Sequence, residues 1–494
     1  MLLATVVHDL EFNNIKGDLN KEINAIAYDS REVVENSVFV AISGFAVDGH
    51  EFIQEAINRG ASTIILEKDI PVKADVTILK VNNSREALAR IAANFYQNPT
   101  EQLNLIGITG TNGKTSTTYF IKSILEQAKQ SVGLIGTNGT MIDNKRIDNI
   151  NTTPESLNLQ QFFSAMKDAN AESCIMEVSS HALNLKRVAY SKFNTGIFTN
   201  LTPDHLELHK DMDEYFLAKA QLFDLTNECN IINVDDAYGR RLIDRVKNYE
   251  TVLLTYGIDQ KADIYPSNIH YSLEATRYTL NTPSESMDIT VNLPGKIYVY
   301  NSLAAIACAY ANNISLDTIQ KGIQNLKGIK GRMEMIYKDE DFKVIVDFCH
   351  TEDALEEALT TIRPYVAGKL ILVYGVYADA SKMGAEKRIG MGRVASKFAD
   401  LSVVTSDNPK NHNPVMIIDQ ISEAMDSYNG HYKAIIDRET AIQYAIEISD
   451  KDDTILLAGK GHETTQKIGD VEFPFNETEI VLEALKRKKQ FVEL

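Results

Sequence analysis

The chain of 494 residues is poor in cysteine, lacks tryptophan and carries fewer basic than acidic residues. Its four cysteines form no C-x-x-C pair, which excludes a zinc ribbon and gives no sign of a disulfide framework. The formal net charge of −18 argues against nucleic acid or an anionic membrane as the main partner. Long apolar runs are also missing, since no stretch approaches the ~20 residues that a membrane helix needs. The cysteines are Cys174, Cys229, Cys308 and Cys349.

The beginning of the chain carries no pattern typical of a targeting signal. No basic segment precedes a long apolar run, and His8, Asp9 and Glu11 interrupt the first apolar residues. Together with the scarce, scattered cysteines, this indicates a cytoplasmic protein. We further expect a monomer that binds neither nucleic acid nor a membrane.

Apolar segments of strand length alternate with amphipathic segments over most of the chain, which predicts an α/β fold with largely parallel sheets. A turn signal at Asn98-Pro99 and a glycine-containing segment at 328–331 suggest boundaries. The sequence therefore predicts a small N-terminal α/β domain (1–100), a central P-loop ATPase domain with a parallel sheet (101–330) and a C-terminal Rossmann-like α/β domain (331–494). Short alternating segments at 263–293 predict β-hairpins packed against the central sheet.

The segment GITGTNGKTS at 107–116 predicts a phosphate-binding loop between a strand and a helix. Glycines let the backbone turn tightly, so that several N–H groups point at phosphate oxygens near a helix N-terminus. Lys114 can reach the β- and γ-phosphates, and the Thr115 hydroxyl can ligate Mg²⁺. The alternative, a glycine-rich turn with a surface lysine, fits the strand–loop–helix context less well. The predicted ATP-binding residues are Gly110, Thr111, Asn112, Gly113, Lys114, Thr115 and Ser116.

Two further strands of the central domain end in polar side chains. Glu177 ends one of them, and Asp204 and His205 follow the next. Ligands of open α/β sheets collect at this edge, and a carboxylate there favours a Mg²⁺ site. A single histidine is more often structural, but its position after a separate strand of a P-loop domain favours the metal role. Lys219 stands in an otherwise apolar helix, where the alternative is a surface lysine whose stem covers apolar surface.

The motifs TGTNGKTS, EVSSHAL followed by Arg187, TNLTPDHLELH, Lys219 before Leu222-Phe223, and VDD at 234–236 occur in this order. In that order they are similar to the Mur ligase family, which builds peptidoglycan precursors with ATP. The motifs YDSR at 28–31, FVAISG at 39–44, DGH at 48–50 and NTTP at 151–154 resemble one branch of it. That branch adds the third residue to UDP-N-acetylmuramoyl-L-alanyl-D-glutamate. The resemblance covers essentially the whole chain.

The resemblance implies a role for each matching residue. Lys114, His205 and Lys219 would be catalytic, with Lys219 carried as a carbamate; burial among apolar residues favours the neutral amine that captures CO₂. The implied Mg²⁺ ligands are Thr115, Glu177, His205 and carbamylated Lys219. The implied contacts to the UDP-sugar-peptide are Ser30, Thr152, Thr153, Ser179 and Arg187. The implied further nucleotide contacts are Asn301, Arg332, Asp347 and His350.

The same resemblance implies a two-step reaction. A substrate carboxylate attacks the γ-phosphoryl group of ATP, and an incoming amine then displaces phosphate from the acyl phosphate. Because nucleophile and ATP are both anionic, Lys114 and Mg²⁺ must neutralise the developing charge. Water would hydrolyse the acyl phosphate, so the third domain is expected to close over the site.

The residues that select the incoming amino acid are predicted in two segments after strands of the third domain, DNPK at 407–410 and GKGHE at 459–463. Diaminopimelate-adding members carry arginine where this chain has Lys410, which keeps the charge but loses the bidentate fork. A cation there favours meso-diaminopimelate over L-lysine, whose distal ammonium would be repelled. His412, in place of a usual acidic residue, weakens this inference. The predicted amino-acid-binding residues are Asp407, Asn408, Lys410, Gly459 and Glu463.

The third domain departs from the family pattern, with Glu352 in place of a proline, Ala380 and Ser381 in place of arginine and aspartate, and a short insertion before Lys387. These changes are compatible with drift in a loop, with altered nucleotide clamping or with a shifted substrate. Two alternatives therefore stay open. A paralogue could join another carboxylate and amine, although the DSR and NTTP motifs argue against it. A catalytically silent nucleotide-binding protein is opposed by the intact central motifs.

Overall fold

The computed structural model describes residues 1–44, 47–143, 145–203, 209–339, 341–376, 378 and 381–492. Three α/β domains follow one another along the chain, each built on its own main sheet, and the predicted fold class is confirmed. The domain boundaries at residues 100 and 330 stay predictions. Within the described ranges, no helix is both long and apolar enough to cross a bilayer.

The N-terminal domain is a five-stranded sheet in the order β1-β5-β4-β3-β2, in which only β1 pairs antiparallel. Helix α2 begins at Ile53, because Asp48 first caps a 3₁₀ turn over Gly49–Phe52 by accepting from the His50 N–H. The strands are β1 (Asn13–Lys16), β2 (Ala25–Ala27), β3 (Ser37–Val40), β4 (Ala61–Leu66) and β5 (Thr77–Lys80). The helices are α1 (Leu3–Val6), α2 (Ile53–Asn58) and α3 (Ser84–Phe95).

The central domain holds an eight-stranded sheet in the order β13-β12-β11-β6-β10-β7-β8-β9, parallel except for the ribbon β7-β8-β9. The strands are β6 (Asn104–Thr109), β7 (Val132–Gly136), β8 (Gly139–Ile142), β9 (Lys145–Ile147), β10 (Ser173–Glu177), β11 (Phe193–Phe198), β12 (Thr226–Asn233) and β13 (Val252–Tyr256). The helices are α4 (Lys114–Gln127), α5 (Ser156–Asp168), α6 (Ser180–Asn184), α7 (Met212–Asp224), α8 (Ala237–Val246), α9 (Lys296–Ala311) and α10 (Leu316–Asn325).

The strand order explains where the site forms. β6 lies between β10 and β11 and runs parallel to both. Because parallel strands end at the same edge of a sheet, the loop after β6 meets the residues that follow β10 and β11. The strands read as apolar runs since helices cover both faces, and they are almost wholly buried.

The hairpins predicted at 263–293 are an antiparallel meander of β14 (Tyr265–Tyr271), β15 (Thr276–Asn281) and β16 (Ser286–Val291). It packs on α9 and α10 rather than on the face of the main sheet, with Tyr278 Oη 2.8 Å from Ser302 Oγ in α9. This position explains why α9 is apolar around most of its circumference, since sheet and meander bury it from two sides.

The C-terminal domain is a six-stranded sheet in the order β17-β18-β22-β19-β20-β21, parallel except for β17, with a separate hairpin β23-β24. The strands are β17 (Glu334–Lys338), β18 (Phe342–Asp347), β19 (Leu370–Tyr374), β20 (Leu401–Val404), β21 (Tyr432–Ala434), β22 (Asp453–Ala458), β23 (Thr465–Ile468) and β24 (Val471–Pro474). The helices are α11 (Glu352–Ile362), α12 (Lys382–Phe398), α13 (Pro414–Ser427), α14 (Arg438–Glu447) and α15 (Glu477–Val492).

Candidate active site

The predicted phosphate loop connects β6 to α4 and is shaped by two glycines in unusual conformations. Gly110 has φ +148° and Gly113 has φ +86°, which L side chains rarely adopt. A Cβ on Gly110 would collide with Thr199 Oγ1, and one on Gly113 would collide with Asn301 Oδ1. The loop is therefore in close contact with the end of β11 and with α9, so that the predicted nucleotide contact Asn301 lies directly beside it.

Residues after β11 hold the loop in place through its backbone. Asn200 accepts from the Thr111 N–H through its carbonyl and from the Asn112 N–H through Oδ1, both at 2.9 Å. Thr199 Oγ1 donates to the Asn112 carbonyl at 2.7 Å. Sequence reasoning missed both residues as loop supports, although they begin the TNLTPD motif.

Glu177, at the end of β10, is a buried carboxylate surrounded by hydroxyl and amide donors. It is 1% exposed and accepts from Thr115 Oγ1 at 3.0 and 3.1 Å. The Thr137 N–H and hydroxyl donate to it at 2.9 and 3.1 Å. Thr152 Oγ1 lies 3.2 Å from Thr137 Oγ1. The structure thus brings two predicted metal ligands, Thr115 and Glu177, together beside the loop.

The donor set fits Mg²⁺. A hydroxyl and one carboxylate are hard oxygen ligands, and Mg²⁺ is usually bound through one or two carboxylates, substrate phosphates and waters. Among the residues that the structure describes, no group of three His, Cys, Asp or Glu side chains could form an all-protein metal site. The predicted ligand His205 lies outside those residues.

Two lysines meet at one carbonyl oxygen of the loop. Lys114 Nζ donates to the carbonyls of Gly110 and Thr111, both at 2.9 Å. Lys219 Nζ, from α7, donates to the same Gly110 carbonyl at 2.8 Å and lies 4.6 Å from the centroid of the Tyr215 ring. The surface-lysine alternative for Lys219 is wrong, because this residue is only 2% exposed.

The third domain reaches the same cleft through Arg332. Its Nη2 donates to Thr115 Oγ1 at 3.3 Å, and its guanidinium lies 4.7 Å from the centroid of the Phe348 ring. Asp347 accepts from the Met333 N–H at 2.7 Å. Burial raises the pKa of Asp347, and the nearby Arg332 charge opposes that shift. Nδ1 of His350 lies 2.8 Å from the Phe348 carbonyl.

The resulting cleft has a volume of about 620 Å³ and lies between the central and C-terminal domains. Arg332 Nε is buried with no hydrogen-bond partner among the described residues, a donor that an anionic ligand could satisfy. Sequence reasoning also missed two tyrosines of the lining, Tyr298 and Tyr300. The predicted residues that line the cleft are Thr111, Asn112, Gly113, Lys114, Thr115, Ser116, Thr152, Glu177, Ser179, Lys219, Asn301, Arg332, Asp347 and His350.

Most residues predicted for the UDP substrate form a connected group behind Glu177. Thr153 Oγ1 donates to the Glu177 carbonyl at 2.8 Å and accepts from the Ser179 N–H at 3.0 Å. Arg187 donates to the Thr153 carbonyl at 3.0 Å. Glu155 holds this arginine and Arg85 of the N-terminal domain in one ion-pair network, at 3.4 and 2.7 Å.

Ser30 lies apart from that group, at the start of a 3₁₀ turn in the N-terminal domain. The two domains nevertheless meet close by, because the Tyr28 hydroxyl donates to Asn158 of α5 at 2.9 Å. Burial, followed by the charge of Glu155, raises the pKa of Tyr28 to about 12.

The residues predicted to bind the incoming amino acid form a second cluster, at the carboxyl edge of the third-domain sheet. Asn408 Nδ2 donates to Glu463 Oε2 at 3.1 Å. Gly459, with φ +114°, leaves room for the buried Asp407, whose Oδ2 would lie 2.9 Å from an added Cβ. Lys410 has φ +50°, and its N–H donates to the Lys467 carbonyl of β23 at 3.1 Å.

Sequence reasoning missed the contribution of Lys460 to this cluster. Its ammonium is wholly buried and donates to Glu463 at 2.7 Å and to Asn408 Oδ1 at 3.1 Å. The segment that carries it runs back to the nucleotide cleft, because the ring of His462 lies 4.8 Å from that of Phe348. The signal for Lys460 was present, since it stands inside the GKGHE segment.

All three domains match known protein families. Residues 22–96 match the Mur ligase family catalytic domain, 108–309 the Mur ligase middle domain and 331–461 the Mur ligase glutamate ligase domain. Relatives from Alkaliphilus oremlandii and Clostridioides difficile are 43% identical over 488 and 487 residues. These alignments cover 99% of this chain in both cases, and 99% and 100% of the relatives. The chain belongs to the Mur ligase family. Both relatives are named UDP-N-acetylmuramoyl-L-alanyl-D-glutamate–2,6-diaminopimelate ligase.

Solved structures of Mur ligases resemble the chain over nearly its full length. A structure of UDP-N-acetylmuramoyl-L-alanyl-D-glutamate–2,6-diaminopimelate ligase aligns with a TM-score of 0.70 and 27% identity, covering 99% of both chains. The MurF ligase from Thermotoga maritima in complex with ADP aligns with a TM-score of 0.65 over 94% of this chain and 98% of its own. At 19% identity, the second likeness shows the shared fold alone.

Two departures of this Mur ligase from the family pattern, Glu352 and Ser381, have local structural explanations. Glu352 occupies the first position of α11, where proline is also favoured, and a carboxylate there is stabilised by the helix dipole. It also forms an ion pair with Arg393 of α12. Ser381 caps α12 by accepting from the Gly384 N–H at 3.1 Å, and Lys387 lies within that helix. Ala380 lies outside the described residues.

Proposed function

We propose that this Mur ligase joins meso-diaminopimelate to UDP-N-acetylmuramoyl-L-alanyl-D-glutamate and converts ATP to ADP and phosphate. The observation that carries the proposal is the 43% identity to two relatives of that name over the whole chain. The arrangement of the cleft agrees with it, because a phosphate loop, a buried carboxylate and the third-domain Arg332 converge on one volume. Cytoplasmic location and a monomeric state stay predictions.

The chemistry begins at the phosphate loop. Loop N–H groups at the start of α4 would bind the phosphates of ATP, and Lys114 would balance their charge. Thr115 and Glu177 would hold Mg²⁺, which supplies charge neutralisation at the transferred phosphoryl group. The substrate carboxylate attacks the γ-phosphorus, ADP leaves, and an acyl phosphate remains. The amine then attacks the acyl carbon, loses a proton and expels phosphate. Arg332 would bring the third domain over the site and exclude water.

We also propose that Lys219 acts as a carbamate. Its Nζ and that of Lys114 share the Gly110 carbonyl at 2.8 and 2.9 Å, so two ammonium groups would repel each other in a water-poor cleft. A carbamate replaces this repulsion by attraction and offers Mg²⁺ an anionic oxygen ligand. The burial of Lys219 supports the modification, since a buried amine is more easily neutral and reactive toward CO₂.

The roles of the remaining site residues follow from their positions. Thr152, Thr153, Ser179 and Arg187, with Ser30 from the first domain, would bind the UDP-sugar-peptide. Asp407, Asn408, Lys410, Gly459 and Glu463 would bind diaminopimelate. Asn301, beside the loop, and Asp347 and His350, from the third domain, would contact the nucleotide.

Phosphate release measured with purified enzyme, ATP, the UDP-linked dipeptide and single amino acids tests the proposal. Release should require both the UDP substrate and meso-diaminopimelate, and kcat/KM should be higher for meso-diaminopimelate than for L-lysine. Phosphate release that does not depend on the UDP substrate would support a paralogue with another carboxylate substrate. No release with any amino acid, despite ADP binding, would support a catalytically silent protein.

A further inference from the structure

The buried Lys460 has no role in the chemistry described above, yet it contacts two proposed amino-acid-binding residues. We propose that Lys460 is a positioning residue that orients Glu463 and Asn408 and thereby favours an amino acid with a distal carboxylate and ammonium over L-lysine. This inference rests on the proposed function. It identifies Lys460 as a residue that helps to determine which class of amino acid the enzyme accepts.

The hydrogen bonds around Lys460 fix the orientation of both neighbours. Its Nζ donates to Glu463 Oε2 at 2.7 Å and to Asn408 Oδ1 at 3.1 Å. The backbone N–H of Lys467 also donates to Asn408 Oδ1, at 3.0 Å. Because an ammonium and an N–H can only donate, Oδ1 must face them, and the amide nitrogen of Asn408 must face Glu463. It does so at 3.1 Å from Oε2.

Burying an ammonium group is not expected to increase the stability of the fold by itself. Lys460 is 0% exposed, and removing its charge from water costs free energy that its two hydrogen bonds only partly return. Apolar residues of similar volume commonly stabilise such positions as well or better. The Glu463 side chain remains 33% exposed, so one end of the carboxylate is open while Lys460 holds the other. A carboxylate that is fixed on one side and accessible on the other is suited to binding a ligand.

The two candidate amino acids differ in the charge of their distal ends, and the cluster around Lys460 is charged. Two cations, Arg438 and Lys460, face the buried Asp407 carboxyl, and Arg438 also pairs with Glu477 at 2.8 Å. The distal end of meso-diaminopimelate carries one positive and one negative charge, whereas that of L-lysine carries only a positive one. Removing the charge of Lys460 would make the surroundings of Glu463 more negative by one charge and would therefore favour a ligand with a cationic distal end.

The charge of Lys460 also acts on the carboxyl group of Asp407. Burial raises the pKa of its carboxyl, while Arg438 and then Lys460 oppose the shift. Lys460 therefore influences both Asp407 and Glu463, the two acidic residues that would bind the amino acid. Lys460 directly follows Gly459, which packs against Asp407, so the Lys460 side chain starts close to both carboxylates.

The experiment compares Lys460→Met, which keeps the stem and removes the charge, with Lys460→Arg and the exposed control Lys433→Met. For Lys460→Met we expect the KM for meso-diaminopimelate to rise about tenfold or more, since hydrogen bonds to charged groups are lost. The kcat should change less than KM, and the ratio of kcat/KM for meso-diaminopimelate to that for L-lysine should fall. Lys460→Arg should restore part of the preference, and Lys433→Met should match the wild type.

ADP binding by calorimetry and thermal unfolding are measured on every variant. An unchanged KM and an unchanged selectivity ratio in Lys460→Met would overturn the inference. Loss of ADP binding in Lys460→Met would also overturn it, because the side chain would then be structural. These outcomes differ from failure of the proposed function, in which the wild-type enzyme itself would not use meso-diaminopimelate.

Discussion

At the scale of single residues, the side chains of two lysines meet at the Gly110 carbonyl. It accepts from Lys114 and Lys219, and both donors lie within 2.9 Å. Two like charges this close in a low-dielectric cleft are unfavourable, and a change in the charge of one of them relieves the conflict. This local geometry, which the sequence does not reveal, supports the proposed carbamate at Lys219.

The carbamate proposal predicts a chemical rescue. Lys219→Ala should reduce ligation by at least about a hundredfold, since an anion facing the metal is lost from a preorganised site. Acetate or another short carboxylate should restore part of the activity by occupying the space left behind. The measurement is phosphate release with and without added carboxylate.

Lys247→Ala, which alters an exposed lysine of the same domain, serves as the control and should respond to neither change. Calorimetry confirms that Lys219→Ala still binds the UDP substrate. A folded Lys219→Ala enzyme that no carboxylate rescues would contradict the proposal.

At the scale of helices and strands, much of the architecture follows from sequence patterns. β6, β10 and β19 are fully or almost fully buried parallel strands, and such strands are recognisable in a sequence as continuous apolar runs. The antiparallel β17 was not predicted, since a half-exposed edge strand lacks such a run. Neither was β23-β24, whose second strand is exposed throughout.

The residues of the site also differ in how far the sequence predicts their neighbours. The phosphate loop and Glu177 carry local patterns, and both follow apolar strands, so the sequence predicts that they lie at the carboxyl edge of the same parallel sheet. The clamp by Thr199 and Asn200, and the pairing of Lys460 with Asn408 52 residues away, depend on contacts between distant segments. Periodicity contains no information about such contacts.

Ser381 provides a prediction for one helix. It stands where the family usually has aspartate, and its side chain accepts from the Gly384 N–H at the start of α12. Serine and aspartate are both good N-caps, so Ser381→Asp should leave stability nearly unchanged. Ser381→Ala should lower the free energy of unfolding by about 1 kcal/mol.

Chemical denaturation of the two variants alongside the wild type measures the difference. Equal stability of Ser381→Ala and the wild type would show that the cap contributes nothing and that this departure from the family has another cause.

At the scale of the whole molecule, polar contacts connect the central domain to both of its neighbours. Glu155 and Asn158 join it to the first domain through Arg85 and Tyr28. Arg332 joins it to the third domain by donating to Thr115 in the phosphate loop. The contacts of Glu155 and Asn158 lie near the proposed UDP-substrate residues, whereas that of Arg332 lies at the proposed nucleotide site. Binding of the two substrates should therefore be separable by mutation.

Arg332→Ala tests that separation. It should weaken ADP binding by about tenfold or more, because a charge-assisted contact beside the loop is lost. Binding of the UDP substrate should stay within about twofold of the wild type, since Arg187 and Thr153 do not contact Arg332 and distant sites usually act independently. Arg332→Lys should recover only part of the ADP affinity, because lysine cannot stack a planar guanidinium on Phe348. Calorimetric titrations with each ligand, with the exposed Lys330→Ala as control, decide the matter. Equal losses of affinity for both ligands in Arg332→Ala would mean that this residue supports the whole cleft rather than the nucleotide contact alone.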